Sequence, residues 1–295
     1  MSQNAARRRE SAMSRYRAIV LDLDGTLVGE DGHIHPRTLA ELRRIAAAGT
    51  VVMVATGRSE GSAAAVLEEL GLETPAILYN GAAAYCPRKR QLLSSRTMGL
   101  ELLEKILRYA DECGHARVVM CAGAKYALAP RTQAEQLALN DFKQLVLVDD
   151  AGLRRTDAIR VTLLSSEYAM PGDFEVELKR HVSEDVYLTS FPLRLLPAHR
   201  ASPLTVLDIH PPCLGKAEAL VLLEQCYGIA AHEVIAVGDA TNDLPMLERA
   251  GLSVAMELSM PEVYAVADRV IGHCDSDTIA QLVAELFPAS SPETR

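Results

Sequence analysis

Four short apolar runs, at residues 18–21, 50–55, 76–79 and 234–237, decide what this chain can fold into. Each is too short for a helix. Each is apolar at consecutive rather than alternate positions, the pattern of a strand buried on both faces. Between them lie helical segments. Leu39, Leu42 and Ile45 space a helix over 36–48 that Gly49 stops, and the Ala- and Leu-rich stretch 62–70 closes at Gly71. The rhythm returns after Lys216, with helices expected over 217–226, 244–249 and 278–287 and a further strand over 252–255. Such β-α alternation predicts an α/β doubly wound parallel-sheet (Rossmann-like) core.

The middle of the chain breaks that rhythm. Strands with polar alternation are expected over 117–120, 125–129, 158–164, 186–190 and 205–209, with helices over 100–112, 133–139 and 174–182. This predicts an inserted α+β domain at 84–210, interrupting a core made of 15–83 and 211–288. Residues 1–14 and 289–295 read as disordered extensions, with Met13 as an alternative start.

Hydrophobic content of 49% and charged content of 23% are those of an ordinary globular protein, and the apolar runs are far short of a membrane span. Net charge is −9, which speaks against a dedicated nucleic-acid binder. Six cysteines without CxxC or His/Cys clustering suit reduced thiols in a cytoplasmic protein. Oligomeric state is not legible.

In an open α/β sheet, ligands bind beyond the carboxyl ends of the strands. The first expected strand ends in Asp22-Leu23-Asp24-Gly25-Thr26, the second in Thr56-Gly57-Arg58, the third in Asn80-Gly81 and the fourth in Gly238-Asp239-Ala240-Thr241-Asn242-Asp243. Residues i and i+2 of a strand share a side, so Asp22 and Asp24 would crowd together where β structure ends. Crowded carboxylates repel unless a cation or shared proton relieves them. Asp22, Asp24 and Asp239 make an oxygen-rich pocket suited to Mg²⁺. A carboxylate can also attack phosphorus, and Thr56 offers a hydroxyl and neighbouring N–H groups to phosphoryl oxygens. Lys216, where the core resumes, is the candidate cation to balance phosphoryl charge.

The set DxDGT, strand-Thr-Gly-Arg, Lys and GDxxND resembles the haloacid dehalogenase-like superfamily of phosphatases. The insert's place between the Thr and Lys motifs, with Tyr79-Asn80-Gly81-Ala82 at its entrance, resembles the Cof-type subfamily (subclass IIB). The resemblance runs from about Tyr16 to Phe287. It implies Asp22 as nucleophile and Asp24 as general acid/base. It implies Mg²⁺ held by the Asp22 carboxylate, the Asp24 backbone carbonyl and Asp239, and the phosphoryl group bound by Thr56 and Lys216. Gly57, Arg58 and Asn242 join the substrate-binding set, with Asn80 and Asp243 supporting. Gly215-Lys216-Ala217 departs from the common Lys-Gly, and Met256-Glu257-Leu258 stands where a small Asn-containing turn is usual. The inserted domain would be a cap that judges the leaving group. Lys125, Arg194, His199 and Arg200 are candidates there, and His33 and His35 either line the entrance or serve a turn.

The expected activity is Mg²⁺-dependent hydrolysis of a small phosphorylated metabolite, a sugar phosphate above all, through an aspartyl phosphate. One alternative is a phosphomutase, which would need basic groups facing the site from the cap. Another is a non-catalytic phospho-acceptor or binding protein, which would require neither Asp24 nor a cap.

Overall fold

The computed structural model describes residues 15–288; the expectations for 1–14 and 289–295 lie outside them. In chain order the strands are β1 (Ala18–Leu21), β2 (Val51–Val54), β3 (Ala76–Leu78), β4 (Ala83–Cys86), β5 (Gln91–Ser95), β6 (Ala116–Cys121) and β7 (Ala124–Ala127). They continue as β8 (Leu145–Leu147), β9 (Arg160–Ser165), β10 (Tyr187–Pro192), β11 (Thr205–His210), β12 (Val234–Gly238), β13 (Leu252–Ala255) and β14 (Arg269–Val270).

The central sheet runs β14-β13-β12-β1-β2, every pair parallel. Leu21 of β1 lies beside Val237 on one side and Val54 on the other. The three strands therefore end level, which delivers Asp22, Ala55 and Gly238 to one edge. Alternate residues feed two cores. Ile19, Leu21, Val54 and Val237 pack with Leu42, Ile45, Val66 and Leu282. Val20, Met53 and Ala236 pack with Leu220, Leu223, Met246 and Val263. Helices Pro36–Ala47, Glu60–Leu70 and Thr278–Leu286 thus cover one face, and Glu218–Tyr227, Leu244–Leu247 and Pro261–Val266 the other. This is the doubly wound core that the apolar runs predict. Each fully buried Leu, Ile or Val contributes about 1.5–3 kcal/mol before entropy is counted.

β3 joins β2 through the single parallel bridge Ala55–Ile77 and then opens the antiparallel ladder β3-β4-β5. Placing the start of the insert at residue 84 cuts this ladder, whose hydrogen bonds run on to Ser95. β5 gave no signal because four of its five residues are exposed.

The second sheet runs β10-β11-β9-β6-β7-β8, antiparallel except for β7–β8. Val119, Val161, Leu163, Leu207 and Ile209 on its outer face pack with Leu103, Ile106, Phe174 and Leu178 of helices Leu100–Glu112 and Pro171–His181. The inner face is turned toward the core. All six cysteines are free. Among the described residues no helix is long and apolar enough to cross a membrane.

Candidate active site

Gly25 makes the turn after β1 possible. Its φ is +78°, and a Cβ there would stand 2.6 Å from Asp239 Oδ2, so only glycine lets the first loop close on the fourth. Thr26 then donates to Asp239 Oδ1 at 2.8 Å. Lys216, fully buried, places Nζ 2.7 Å from Asp22 Oδ1 and 2.6 Å from Asp243 Oδ1. Asp243 Oδ2 accepts from the backbone N–H groups of Asp239 and Ala240, both at 3.0 Å. Both Asp243 oxygens are therefore committed to holding Lys216 and the Asp239 loop in place.

The Thr56 loop is fixed from two sides. Thr56 N–H donates to Ile77 O, and Asn80 N–H donates to Thr56 O. Thr56 Oγ1 accepts from Arg58 N–H at 3.1 Å. Asn242 Nδ2 donates to Asn80 Oδ1 at 3.1 Å, tying the fourth loop to the third. A Cβ on Gly57 would lie 3.0 Å from Asn80 Oδ1, so a larger residue would press on that link. Tyr79 and Asn80 both take left-handed φ, 51° and 50°. Asparagine tolerates this region, but for Tyr79 it is strained. The conformation is held by Tyr79 N–H donating to Arg58 O and by the Tyr79 hydroxyl donating to Glu60 at 2.5 Å.

Asp24 is the exception to convergence. Its carboxylate turns out to Arg58, which donates to both oxygens at 2.9 and 2.5 Å. Arg58, expected to bind substrate, here grips Asp24 instead. The carboxylates that do gather are Asp22, Asp239 and Asp243, with one oxygen from each inside a 4.8 Å spread.

Electrostatics follow from that crowding. Burial, reinforced by Asp243, Asp239 and Asp24, holds the Asp22 carboxyl well above the usual range despite Lys216. Burial and then Asp243 push Asp239 up to about 7. Lys216 loses to burial but gains more from Asp22 and Asp243, and stays a cation. Three carboxyl groups share one ammonium in a buried pocket of hard oxygen donors, and the raised Asp22 and Asp239 reflect the cost of charging all three without a further cation. A divalent cation of the Mg²⁺ type fits that donor set.

The cap brings its own polar face to these loops. Thr189 of β10, Asp208 of β11 and Thr162 of β9 lie directly opposite one another across three strands. Thr189 Oγ1 accepts from Asn80 Nδ2 at 3.2 Å, and Arg160 donates to Gly57 O at 2.8 Å, so this face meets the Thr56 loop. Arg160 also pairs with Asp208 at 3.3 Å. Sequence reasoning missed Arg160, Asp208 and Thr189. The available signal was a carboxylate inside the apolar run Val206-Leu207-Asp208-Ile209. Of the expected cap residues, Lys125 is buried and donates to Lys143 O. His199 is buried against Asp141, while Arg194 and Arg200 are exposed. His33 and His35 take the turn role: His33 lies 3.6 Å from Glu69, and His35 caps the helix Pro36–Ala47.

His210, at the end of β11, is fully buried, and burial pulls its pKa down from 6.5 to about 4 against the pull of Asp208. The folded state binds its proton less well than the unfolded chain. This contribution to stability is whole above pH 6.5 and is lost as pH falls toward 4. Urea unfolding at stepped pH should show wild type losing up to about 3 kcal/mol more than His210→Gln over that window, at about 1.4 kcal/mol per unit. Parallel curves for the two proteins would refute it.

The haloacid dehalogenase-like hydrolase family matches residues 19–283. A 5-amino-6-(5-phospho-D-ribitylamino)uracil phosphatase, YitU, from Bacillus subtilis is 28% identical over 276 residues, covering 91% of this chain and 97% of the relative. The pyridoxal phosphate phosphatase YbhA from Escherichia coli is 27% identical over 285 residues, covering 90% of this chain and 97% of the relative. In fold, the chain is similar to BT1666 from Bacteroides thetaiotaomicron, with a TM-score of 0.76 at 22% identity over 94% of this chain and 97% of that one. It is likewise similar to the subclass IIB sugar phosphatase BT4131, with a TM-score of 0.74 at 19% identity over 91% of this chain and 98% of that one.

Proposed function

The chain belongs to the haloacid dehalogenase-like hydrolases, as a Cof-type phosphatase, and from that membership we propose that it hydrolyses a small sugar-phosphate-like metabolite through an aspartyl phosphate, with Mg²⁺ as cofactor. The observation that carries this reading is the buried Asp22–Lys216 pair at 2.7 Å, set beside Asp239 where three parallel strands end level. A nucleophile, a cation and a metal-suited carboxylate share one pocket. The relatives named above act on small phosphorylated metabolites, which supports the substrate class. Six free cysteines support a reducing, cytoplasmic setting for the reaction.

In the proposed reaction Asp22 attacks phosphorus, the bond to the ester oxygen breaks, and Asp24 delivers a proton to that oxygen. Water then attacks the aspartyl phosphate and gives its proton to Asp24, releasing phosphate and restoring Asp22. Lys216 and the Thr56 hydroxyl and backbone hold the phosphoryl oxygens. Asp22 and Asp239 would hold Mg²⁺ with the Asp24 backbone carbonyl; bound there, the ion supplies charge neutralisation for the phosphoryl group. Proton donation needs the Asp24–Arg58 pair to open, and an arriving phosphoryl dianion offers Arg58 a competing partner.

Phosphate release from a panel of phosphorylated metabolites, with and without Mg²⁺, tests the reading. Asp24→Asn sharpens it. Alkyl phosphates, whose alkoxide needs a proton, should lose about 10²- to 10⁴-fold in turnover, and an aryl phosphate much less. Equal losses on both would assign Asp24 to loop geometry rather than proton transfer.

A further inference from the structure

The inner face of the cap sheet is organised in two adjacent rungs. One holds Thr189, Asp208 and Thr162, and the other holds Tyr187 beside His210, with Arg160 beside Met120. On the outer face Val161, Leu163, Leu207 and Ile209 are apolar and packed against helices. These polar groups stand among Val118, Met120, Leu164 and Val206, which join the main core. Buried polar groups are tolerated when they are paired.

Most of these groups are paired, and how they are paired sets what they offer. Thr162 donates to Asp208 Oδ1 at 2.5 Å, and Arg160 stands 3.3 Å from Asp208 Oδ2. Each carboxylate oxygen can accept twice, so Asp208 keeps acceptor capacity after both contacts. Arg160 Nη1 serves both Asp208 and Gly57 O, and Nε and Nη2 face Met120 Sδ at 3.3 and 3.0 Å, so the guanidinium is engaged on each of its nitrogens. His210 Nδ1 lies 3.3 Å from Tyr187 O. A carbonyl only accepts, so Nδ1 carries the proton and Nε2 is a bare acceptor. That Nε2 is buried and has no hydrogen-bond partner. Beside Thr189 the face thus presents Asp208 as an acceptor and Arg160 as its paired cation, two contacts away from the Thr56 loop through Arg160 and Gly57, while Lys125 lies farther along the Arg160 rung and donates to Lys143 O.

We propose that Asp208, oriented by Arg160 and Thr162, is the specificity-determining acceptor for the leaving group, and that it selects phosphate esters whose leaving group carries neutral hydroxyls. The proposal rests on the phosphatase reading above and names the leaving-group chemistry within it. A leaving group bearing a second phosphate brings two or more negative charges toward a carboxylate whose guanidinium partner is already engaged, and is disfavoured.

The test compares kcat/KM for glucose 6-phosphate and ribose 5-phosphate with n-butyl phosphate, fructose 1,6-bisphosphate and 4-nitrophenyl phosphate, all with Mg²⁺. Wild type should prefer the two sugar monophosphates over n-butyl phosphate, whose leaving group is an alkoxide without further hydroxyls. Asp208→Asn should shrink that preference by about 10- to 100-fold, the range for a hydrogen bond to a charged group, while 4-nitrophenyl phosphate hydrolysis falls far less. Thr162→Val keeps shape and removes the hydroxyl that orients Asp208, so it should shift the preference in the same direction by a smaller factor. An unchanged preference in both variants, with aryl phosphate still hydrolysed, overturns this inference and leaves the phosphatase reading standing. So does a wild type that favours fructose 1,6-bisphosphate. A wild type that releases phosphate from none of the five overturns both.

Discussion

Asp22→Asn should abolish phosphate release from every substrate, by on the order of 10⁴-fold or more, while leaving the fold intact. Asparagine keeps the shape of the side chain but not its attacking charge. The variant should not lose stability without Mg²⁺. Burial and three neighbouring carboxylates already disfavour the Asp22 charge, and Lys216 keeps Asp243 as partner at 2.6 Å. The two proteins should part company when the ion is added. A ligand that binds only the folded state stabilises it by about 2.7 kcal/mol at a hundred times its Kd, and Asp22→Asn should gain much less of this than wild type. Thermal unfolding with and without MgCl₂, beside a phosphate-release assay, reads both effects. Near-normal turnover in Asp22→Asn would sink the covalent mechanism.

Lys216→Met should strongly destabilise the protein when Mg²⁺ is withheld. Methionine fills the space but leaves Asp22, Asp239 and Asp243 facing one another without a cation. Removing one partner of a buried ion pair typically costs about 3–5 kcal/mol. Two features would mark the loss as electrostatic rather than steric. It should shrink when Mg²⁺ is present, and it should shrink as pH falls, because protonation discharges the cluster whose Asp239 titrates near 7. Activity should fall by about 10²- to 10³-fold even with Mg²⁺ bound, since one fixed donor to the phosphoryl oxygens is gone. A loss of stability indifferent to both pH and Mg²⁺ would point to packing instead.

Much of the core was legible because its signals are local and agree with one another. A doubly buried strand must be apolar at every residue, so β1, β2, β3 and β12 stand out, and the polar segment after each must be its loop. The loops pointed to Asp22, Asp24 and Asp239 as the carboxylate group, whereas the structure gathers Asp22, Asp239 and Asp243 about Lys216. Sequence could not supply rotamer choice or the pairing between distant segments. Asp24 sits where the strand pattern puts it, yet its carboxylate swings to Arg58. β5 and β8 are edge strands with little buried surface, so their patterns resemble loops. The cap residues that reach the core were hidden for a different reason. Arg160 and Asp208 are separated by 48 positions, and only the antiparallel pairing of β9 with β11 places them together.

Asn80 receives from Asn242 on one side of its amide and donates to Thr189 on the other. One side chain therefore belongs to the phosphate loops and to the cap at once. Exchanging the insert for that of another family member would import a new recognition surface, but it would strand the Asn80 donor unless the incoming strand placed an acceptor where Thr189 stands. The cap is thus not a free cassette. Grafts that carry a hydroxyl or amide to that rung should keep the geometry of both loops, and grafts that do not should disturb them before any substrate arrives.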